Sequence, residues 1–182
     1  LFLISIFVIF YKIYFHKNTK TQIQSFEIQK QLSEEGKNNL IKNLKYEIIL
    51  DQNTKYSIKS DLSEITYEGN LEVVKMKKVI AVIIDKKNVS LIITSDKAIY
   101  NNSTYSTDFR ENVRIEYLDH VILSDKMDLN FNSDTISIYE NVKYNGLQGT
   151  IRADNIEIDL ITQKIKIYMN NNKDKVEVTA NK

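Results

Sequence analysis

The chain has 182 residues with 25 Lys and Arg against 24 Asp and Glu, a length that supports one domain with a real core and not two ordinary ones. Its 42% apolar and 27% charged residues exclude wholesale disorder, and a formal net charge of +1 gives none of the basic excess that nucleic-acid binding needs. The absence of Cys removes disulfides, zinc fingers, iron–sulfur ligation and thiol catalysis, and leaves His16 and His120 as the candidates for any imidazole site; no cofactor and no metal centre is expected.

Leu1 to Tyr11 reads LFLISIFVIFY, interrupted only by Ser5 and the Tyr11 hydroxyl, and continues through Lys12 to Ile13, Tyr14 and Phe15. Such a segment belongs in lipid, with Lys12 snorkelling and the aromatic residues in the interfacial belt. As a helix, residues 1–15 would reach about 22 Å, short of the ~30 Å hydrocarbon core. The chain opens on Leu1, so the span is expected to continue upstream. A cleaved signal peptide would want small residues just downstream, whereas His16-Lys17-Asn18-Thr19-Lys20 follows. Residues 1–20 are therefore expected to be an uncleaved anchor. Lys12, Lys17 and Lys20 lie on its C-terminal side, which the positive-inside tendency by itself would place in the cytoplasm.

Residues 21–45 are polar, with apolar positions spaced too loosely for an amphipathic helix, and read as a tether. From Tyr46 onward, stretches rich in Ile, Val, Tyr and Thr alternate with Asn, Asp and Lys clusters such as Asp51-Gln52-Asn53 and Asp85-Lys86-Lys87-Asn88, the pattern of an all-β domain over 46–182. Alternation in Tyr56-Ser57-Ile58, Met127 to Phe131 and Ile165-Lys166-Ile167 predicts strands that bury one face. The run Val79 to Ile84 is apolar at both parities and predicts burial on both faces.

An internal repeat carries the most information. Ile93-Thr94-Ser95-Asp96-Lys97 recurs 29 residues later as Ile122-Leu123-Ser124-Asp125-Lys126 and again as Ile151-Arg152-Ala153-Asp154-Asn155, with an earlier copy at Ile58-Lys59-Ser60-Asp61. The same offset maps Phe109 onto Ile138 and Ile167, Thr107 onto Ile136 and Ile165, and Glu111-Asn112-Val113 onto Glu140-Asn141-Val142. Within each unit the apolar positions resume three and five residues after the small Ser or Ala, so the facing flips there. A bulge or bend at the Ser/Ala-Asp step accounts for the flip and predicts stacked units in a two-layer, folded-over sheet with an apolar inner face.

The remaining chemistry is thin. His120 in Leu118-Asp119-His120-Val121 could be imagined in a triad with Ser124 and Asp119, but strand geometry sends such close neighbours to different faces, and an exposed turn histidine is expected. Asp96, Asp125 and Asp154 could form a calcium ladder, yet the Gly-rich loops of such repeats are missing, so bend-stabilising roles are expected. Glu157 and Asp159 read as a solvated face of a strand rather than a glycosidase pair.

An apolar N-terminal segment, a polar tether, Tyr56 to Asp61 behind the Asp51-Gln52-Asn53 turn, and repeated Ser/Ala-Asp steps ending in Ala153-Asp154-Asn155-Ile156-Glu157-Ile158 together resemble the LptC family of lipopolysaccharide-export proteins. The resemblance implies no enzyme but a single-pass protein of a Gram-negative inner membrane, its N-terminus cytoplasmic and its C-terminal domain a periplasmic antiparallel β-jellyroll open at both ends. It also implies the partners: lipopolysaccharide, the inner-membrane ABC transporter complex that supplies it, and a soluble LptA-like periplasmic bridge protein that receives it by edge-to-edge strand pairing. On this reading the slot is lined by Ile58, Ile93, Phe109, Ile122, Ile136, Ile138, Ile151, Ile165 and Ile167. Partner strands would meet Tyr46, Ile48 and Leu50 at one end and Val176 and Val178 at the other. A membrane-tethered structural or adhesion module, and a parallel β-helix enzyme acting on glycans, are the alternative readings.

Overall fold

The computed structural model describes residues 39–51, 54–69, 71–84, 88–162, 164–171 and 173–181. The expected anchor over 1–20 and the tether up to residue 38 lie outside them, and among the described residues no helix is long and apolar enough to cross a membrane. The described chain forms β1 (Asn39–Asp51), β2 (Thr54–Glu68), β3 (Leu71–Ile84), β4 (Ser90–Asn101), β5 (Ser106–Tyr117), β6 (His120–Asn130), β7 (Thr135–Gly146), β8 (Gly149–Asp159), β9 (Ile165–Tyr168) and β10 (Glu177–Ala180). They make one antiparallel sheet in chain order from β1 to β8, after which β9 pairs with the second half of β8 and β10 with the first. Antiparallel pairing throughout excludes the parallel β-helix alternative for this part of the chain.

The repeat period now has a physical meaning, because 29 residues are two antiparallel strands and their turns. Asn101, Asn130 and Asp159 stand one period apart, and each accepts two backbone N–H bonds from the turn that follows it, as at Ser103 (2.9 Å) and Thr104 (3.2 Å) for Asn101.

A bend line crosses the sheet where the sequence predicts it. Backbone φ is positive at Asn43 (53°), Lys78 (54°), Glu111 (65°), Asn112 (52°), Glu140 (64°) and Asn141 (55°), beside the Ser/Ala-Asp steps of the alternate strands. The bending Asp residues are held from the neighbouring strand. Asp96 accepts from Asn112 Nδ2 at 2.6 Å and Lys78 Nζ at 2.8 Å, Asp125 accepts from Asn141, and Asp154 accepts the Asn170 backbone N–H at 2.9 Å. The Lys78 ammonium and the Asn112 amide hold the Asp96 carboxyl below its usual range. The side chains on the inner side of the bend are small, Ser60, Val79, Ser95, Val113, Ser124, Val142 and Ala153, all buried, and this lets the two halves of each strand approach. Ser60 and Ser63 share a hydrogen bond across the bend within β2.

The same bend explains why β1 begins at Asn39, inside the stretch read as tether. Ile41 pairs with Ser63 and Leu44 with Ser60, so both point inward although three residues apart, and Asn43 between them breaks the alternation that marks a strand. The Val79 to Ile84 run departs from expectation in another way. Val79 and Ala81 are buried, but Ile80 is 48% exposed, because the folded-over sheet covers only its inner face.

Each strand therefore contributes to two layers. Residues before the bend in β2, β4, β6 and β8 pair with residues after it in β1, β3, β5 and β7 to make the first layer, which β10 extends; the other halves make the second, which β9 extends. Contacts between layers run obliquely. Tyr46 of the first layer packs on Tyr100 of the second, with ring centroids 5.4 Å apart, and Tyr56 packs edge-on against Phe131 at 5.1 Å. The buried Tyr56 hydroxyl meets Thr107 Oγ1 at 3.0 Å, and burial pushes the Tyr56 phenol well above its usual pKa.

Tyr56→Phe is expected to destabilise the domain by about 1–2 kcal/mol in urea unfolding, since it strands the buried Thr107 hydroxyl. The Tyr56→Phe/Thr107→Val double variant should lose less than Tyr56→Phe alone. A double variant that loses the sum of both would show that the bond does not couple the layers.

Candidate functional site

Strand register gathers the candidate side chains into rows on the inner face. In the first layer one row runs Tyr46, Ile58, Ala81, Ile93, Ile115, Ile122, Tyr144, Ile151 and Val178, each directly paired with the next. In the second layer Phe109, Met127, Ile138, Ile156 and Ile167 form one row, and Thr107, Leu129, Ile136, Ile158 and Ile165 the next. The row members absent from the sequence-derived set carry a signal in the same repeat, for Tyr144 lies 29 residues after Ile115. Met127 and Leu129 stand in an alternating stretch whose facing only the bend defines.

Exposure is least in the middle of these rows and greatest at the β9/β10 end, Tyr46 at the β1 end being half-buried. In the first layer Ile58, Ile93 and Ile115 are 1%, 0% and 4% exposed, Ile122, Tyr144 and Ile151 are half-buried, and Val178 is 71% exposed. In the second, Phe109, Ile136 and Ile138 are sealed, Ile158 and Ile167 are half-buried, and Ile165 reaches 61%. Ile165 is thus open to solvent: it sits at the end of a four-residue terminal strand with a neighbour on one side only. The gradient follows from the oblique crossing. The first layer's β1 and β2 lie over β4, β5 and the β6–β7 turn of the second, so cover is greatest there and falls toward β9 and β10.

At this open end His120 Nδ1 lies 2.7 Å from the Tyr144 hydroxyl and the two rings stack with centroids 5.8 Å apart. His120 is therefore the half-buried first residue of β6 and not an exposed turn residue. Ser124 donates to the Lys126 carbonyl, which leaves no Ser-His-Asp arrangement with Asp119. Glu157 accepts from Tyr168 at 2.6 Å, while Asp159 caps its turn. Neither is aimed at the inner face.

The edges are uneven. β1 holds Tyr46, Ile48 and Leu50 and, among the described residues, pairs only with β2. β10 begins at Glu177, so Val176 precedes the strand and Val178 lies inside it, opposite Ile151. Asn181 ties the strand's end to the β7–β8 turn through its N–H to the Gln148 carbonyl at 3.1 Å and its amide to the Leu147 carbonyl at 3.2 Å. Gly149 makes this approach feasible: its φ is +153°, and a Cβ there would lie 2.1 Å from the Thr179 carbonyl oxygen.

The family model described as lipopolysaccharide-assembly, LptC-related, matches residues 2–173. No curated protein matches the chain.

The β8–β10 seam can be tested directly. Gly149→Ala places a methyl group against backbone, so β10 must shift; amide exchange at residues 177–180 should accelerate severalfold while that of β4 to β6 is unchanged. Unaltered protection at 177–180 would show that the close approach is not what seats β10.

Proposed function

Since the chain belongs to the LptC-related lipopolysaccharide-assembly family, whose members act in lipopolysaccharide transport as anchored periplasmic-domain proteins, we propose that the graded inner face is the cargo path. Lipopolysaccharide from an inner-membrane ABC transporter complex would insert its acyl chains between the layers from the β1 side. It would leave at the β9/β10 end for a soluble LptA-like bridge protein. The observation that carries this reading is the unbroken apolar row in register across the first layer, sealed at Ile93 and 71% exposed at Val178. Acyl chains crossing an aqueous compartment need continuous apolar cover, worth roughly 0.8 kcal/mol per buried methylene. A row that runs from β1 to β10 without a charged residue supplies such a surface across the width of the sheet.

Ile93, Phe109 and Ile138 touch neighbours on all sides in the closed form, so cargo has to part the layers. Cover is least at the β9/β10 end, where the cargo would leave. Residues 1–20 would hold the domain at the inner membrane, and 21–38 would let it reach the transporter. At the far end, β10 offers a strand edge, unpaired among the described residues, of the kind used for strand addition, with main-chain hydrogen bonds giving affinity and Val178 helping to set register.

Two experiments test this reading. A photoreactive residue at Ile138 or Ile151 should crosslink lipopolysaccharide in cells, and one at Ser137, on the outer face of the same strand as Ile138, should not; equal yields at all three would sink the inner-face assignment. Val178→Pro removes one backbone donor at the terminal edge and should weaken capture of the bridge protein at least severalfold without releasing the chain from the membrane. Undiminished capture by a folded Val178→Pro protein would move the docking edge elsewhere.

A further inference from the structure

The Val79 to Ile84 run reads as buried on both faces, and the folded sheet covers only one. On the outer face of the first layer Ile80 is 48% exposed, and Val82, Ile84, Ile92, Val121 and Leu123 are half-buried. Lys45, Lys59, Arg114, Lys143 and Arg152 share one cross-strand row with Ile80, Leu123 and the terminal Glu177, so cations alternate with apolar residues and outnumber the row's carboxylate.

The charges of this row are only partly paired, Lys45 with Glu47 at 2.8 Å and Arg114 with Glu116, whereas pairing is fuller on the outer face of the second layer. There Lys97 pairs with Glu111 at 2.6 Å, Lys126 with Glu140 at 2.6 Å and Arg110 with Asp128 at 2.7 Å. In the first layer Lys143 stands directly opposite Arg152, a like-charge cross-strand pair that costs stability. Neither has an ion-pair partner among the described residues, and together with Thr150, Thr179 and Glu177 they line a shallow depression.

We propose that the outer face of the first layer docks on an anionic lipid bilayer, its isoleucines and valines meeting the interfacial region and its lysines and arginines the phosphate head groups. Charge complementarity selects this occupant. A second copy of the chain would set this face's excess of cations over Glu47, Glu116 and Glu177 against the same excess, and an uncharged apolar partner would leave it desolvated without compensation. The chain between the apolar N-terminal run and β1 permits the geometry, since residues 21–38 can extend to about 60 Å, more than the length of any strand in the sheet. This surface is separate from the cargo face. Docking on it would hold the open β9/β10 end at a fixed orientation to the membrane.

Because the chain has no Cys, single-cysteine variants report position without background. Full-length Ile80→Cys and Ser137→Cys proteins carrying an environment-sensitive fluorophore would be reconstituted into phosphatidylcholine vesicles with or without one-third phosphatidylglycerol, in both cases with a lipid-borne quencher. The Ile80 label should be quenched in the phosphatidylglycerol vesicles, released by 0.5 M salt, and little affected in phosphatidylcholine, whereas the Ser137 label should respond in neither. Lys143→Glu/Arg152→Glu, whose side chains lie at the surface, should lower the docked fraction's equilibrium by about tenfold or more, as near-surface cation contributions imply, with an unchanged melting transition. Equal quenching at both labels, or quenching indifferent to lipid charge and salt, overturns the proposal while leaving the cargo reading intact. A concentration-dependent dimer that shields Ile80 without lipid assigns the face to a second copy and also overturns it. Chain that fails to float with either vesicle refutes the membrane anchor together with this docking.

Discussion

The structure depends on one constraint, that a single antiparallel sheet must bend along one line in every strand if it is to bury its own apolar face. The line consists of residues that L-amino acids reach reluctantly, with Glu111, Asn112, Glu140 and Asn141 all at positive φ. A non-glycine residue there costs about 1–2 kcal/mol, and the neighbouring strand offsets this locally. Asn112 and Asn141 are stabilised in that conformation while their amides bond Asp96 and Asp125, and Lys97 and Lys126 reach Glu111 and Glu140. Each bend thus supports the next, and the line propagates across the sheet as far as Asp154 and Asn170.

Once the line exists, two properties of the domain follow without further design. The side chains next to it must be small, as Ser95, Ser124 and Ala153 are, because the two halves of a strand converge there. Side chains farther out must be apolar and in register, because each row continues from one strand to the next. The 29-residue repeat is the trace of this requirement in the chain, one copy for each pair of strands. A packed core and the proposed lipid-carrying surface would therefore be the same residues under different degrees of cover. The degree of cover is set by how far the layers overlap.

That overlap is oblique, and it separates a closed region from an open one. Tyr46 and Tyr56 bridge to the second layer near the start of the sheet, while β9 and β10 diverge from the fork at β8 with exposed Ile165 and Val178. A sheet whose edges at β1 and β10 are unpaired among the described residues is ordinarily an association hazard. Here β9 and β10 have four residues each, and β10 is seated by Gly149 and Asn181, so that edge is short and fixed. The outer surfaces divide the charge: paired on the second layer, only partly paired beside apolar residues on the first.

Much of this was legible in the chain itself. Alternation at Met127 to Phe131 defines a one-sided strand, the resumption of apolar positions three residues after Ser124 and Ala153 marks the bend, and the repeat selects Ile93, Ile122 and Ile151 as one row, since all of these are local spacings along a backbone of period two. Where the bend itself breaks the pattern, at Asn43, the start of β1 is hidden, and separately β10 begins one residue after Val176. Only the tertiary structure decided which members of a row are sealed, that Ile165 is exposed although Ile136 is buried, that His120 stacks on Tyr144, and that Ile80 has no cover. These depend on the angle between the layers, which is set by sheet twist and by contacts such as Tyr56 to Thr107 between residues 51 positions apart, and no periodicity along the chain encodes a contact across that distance.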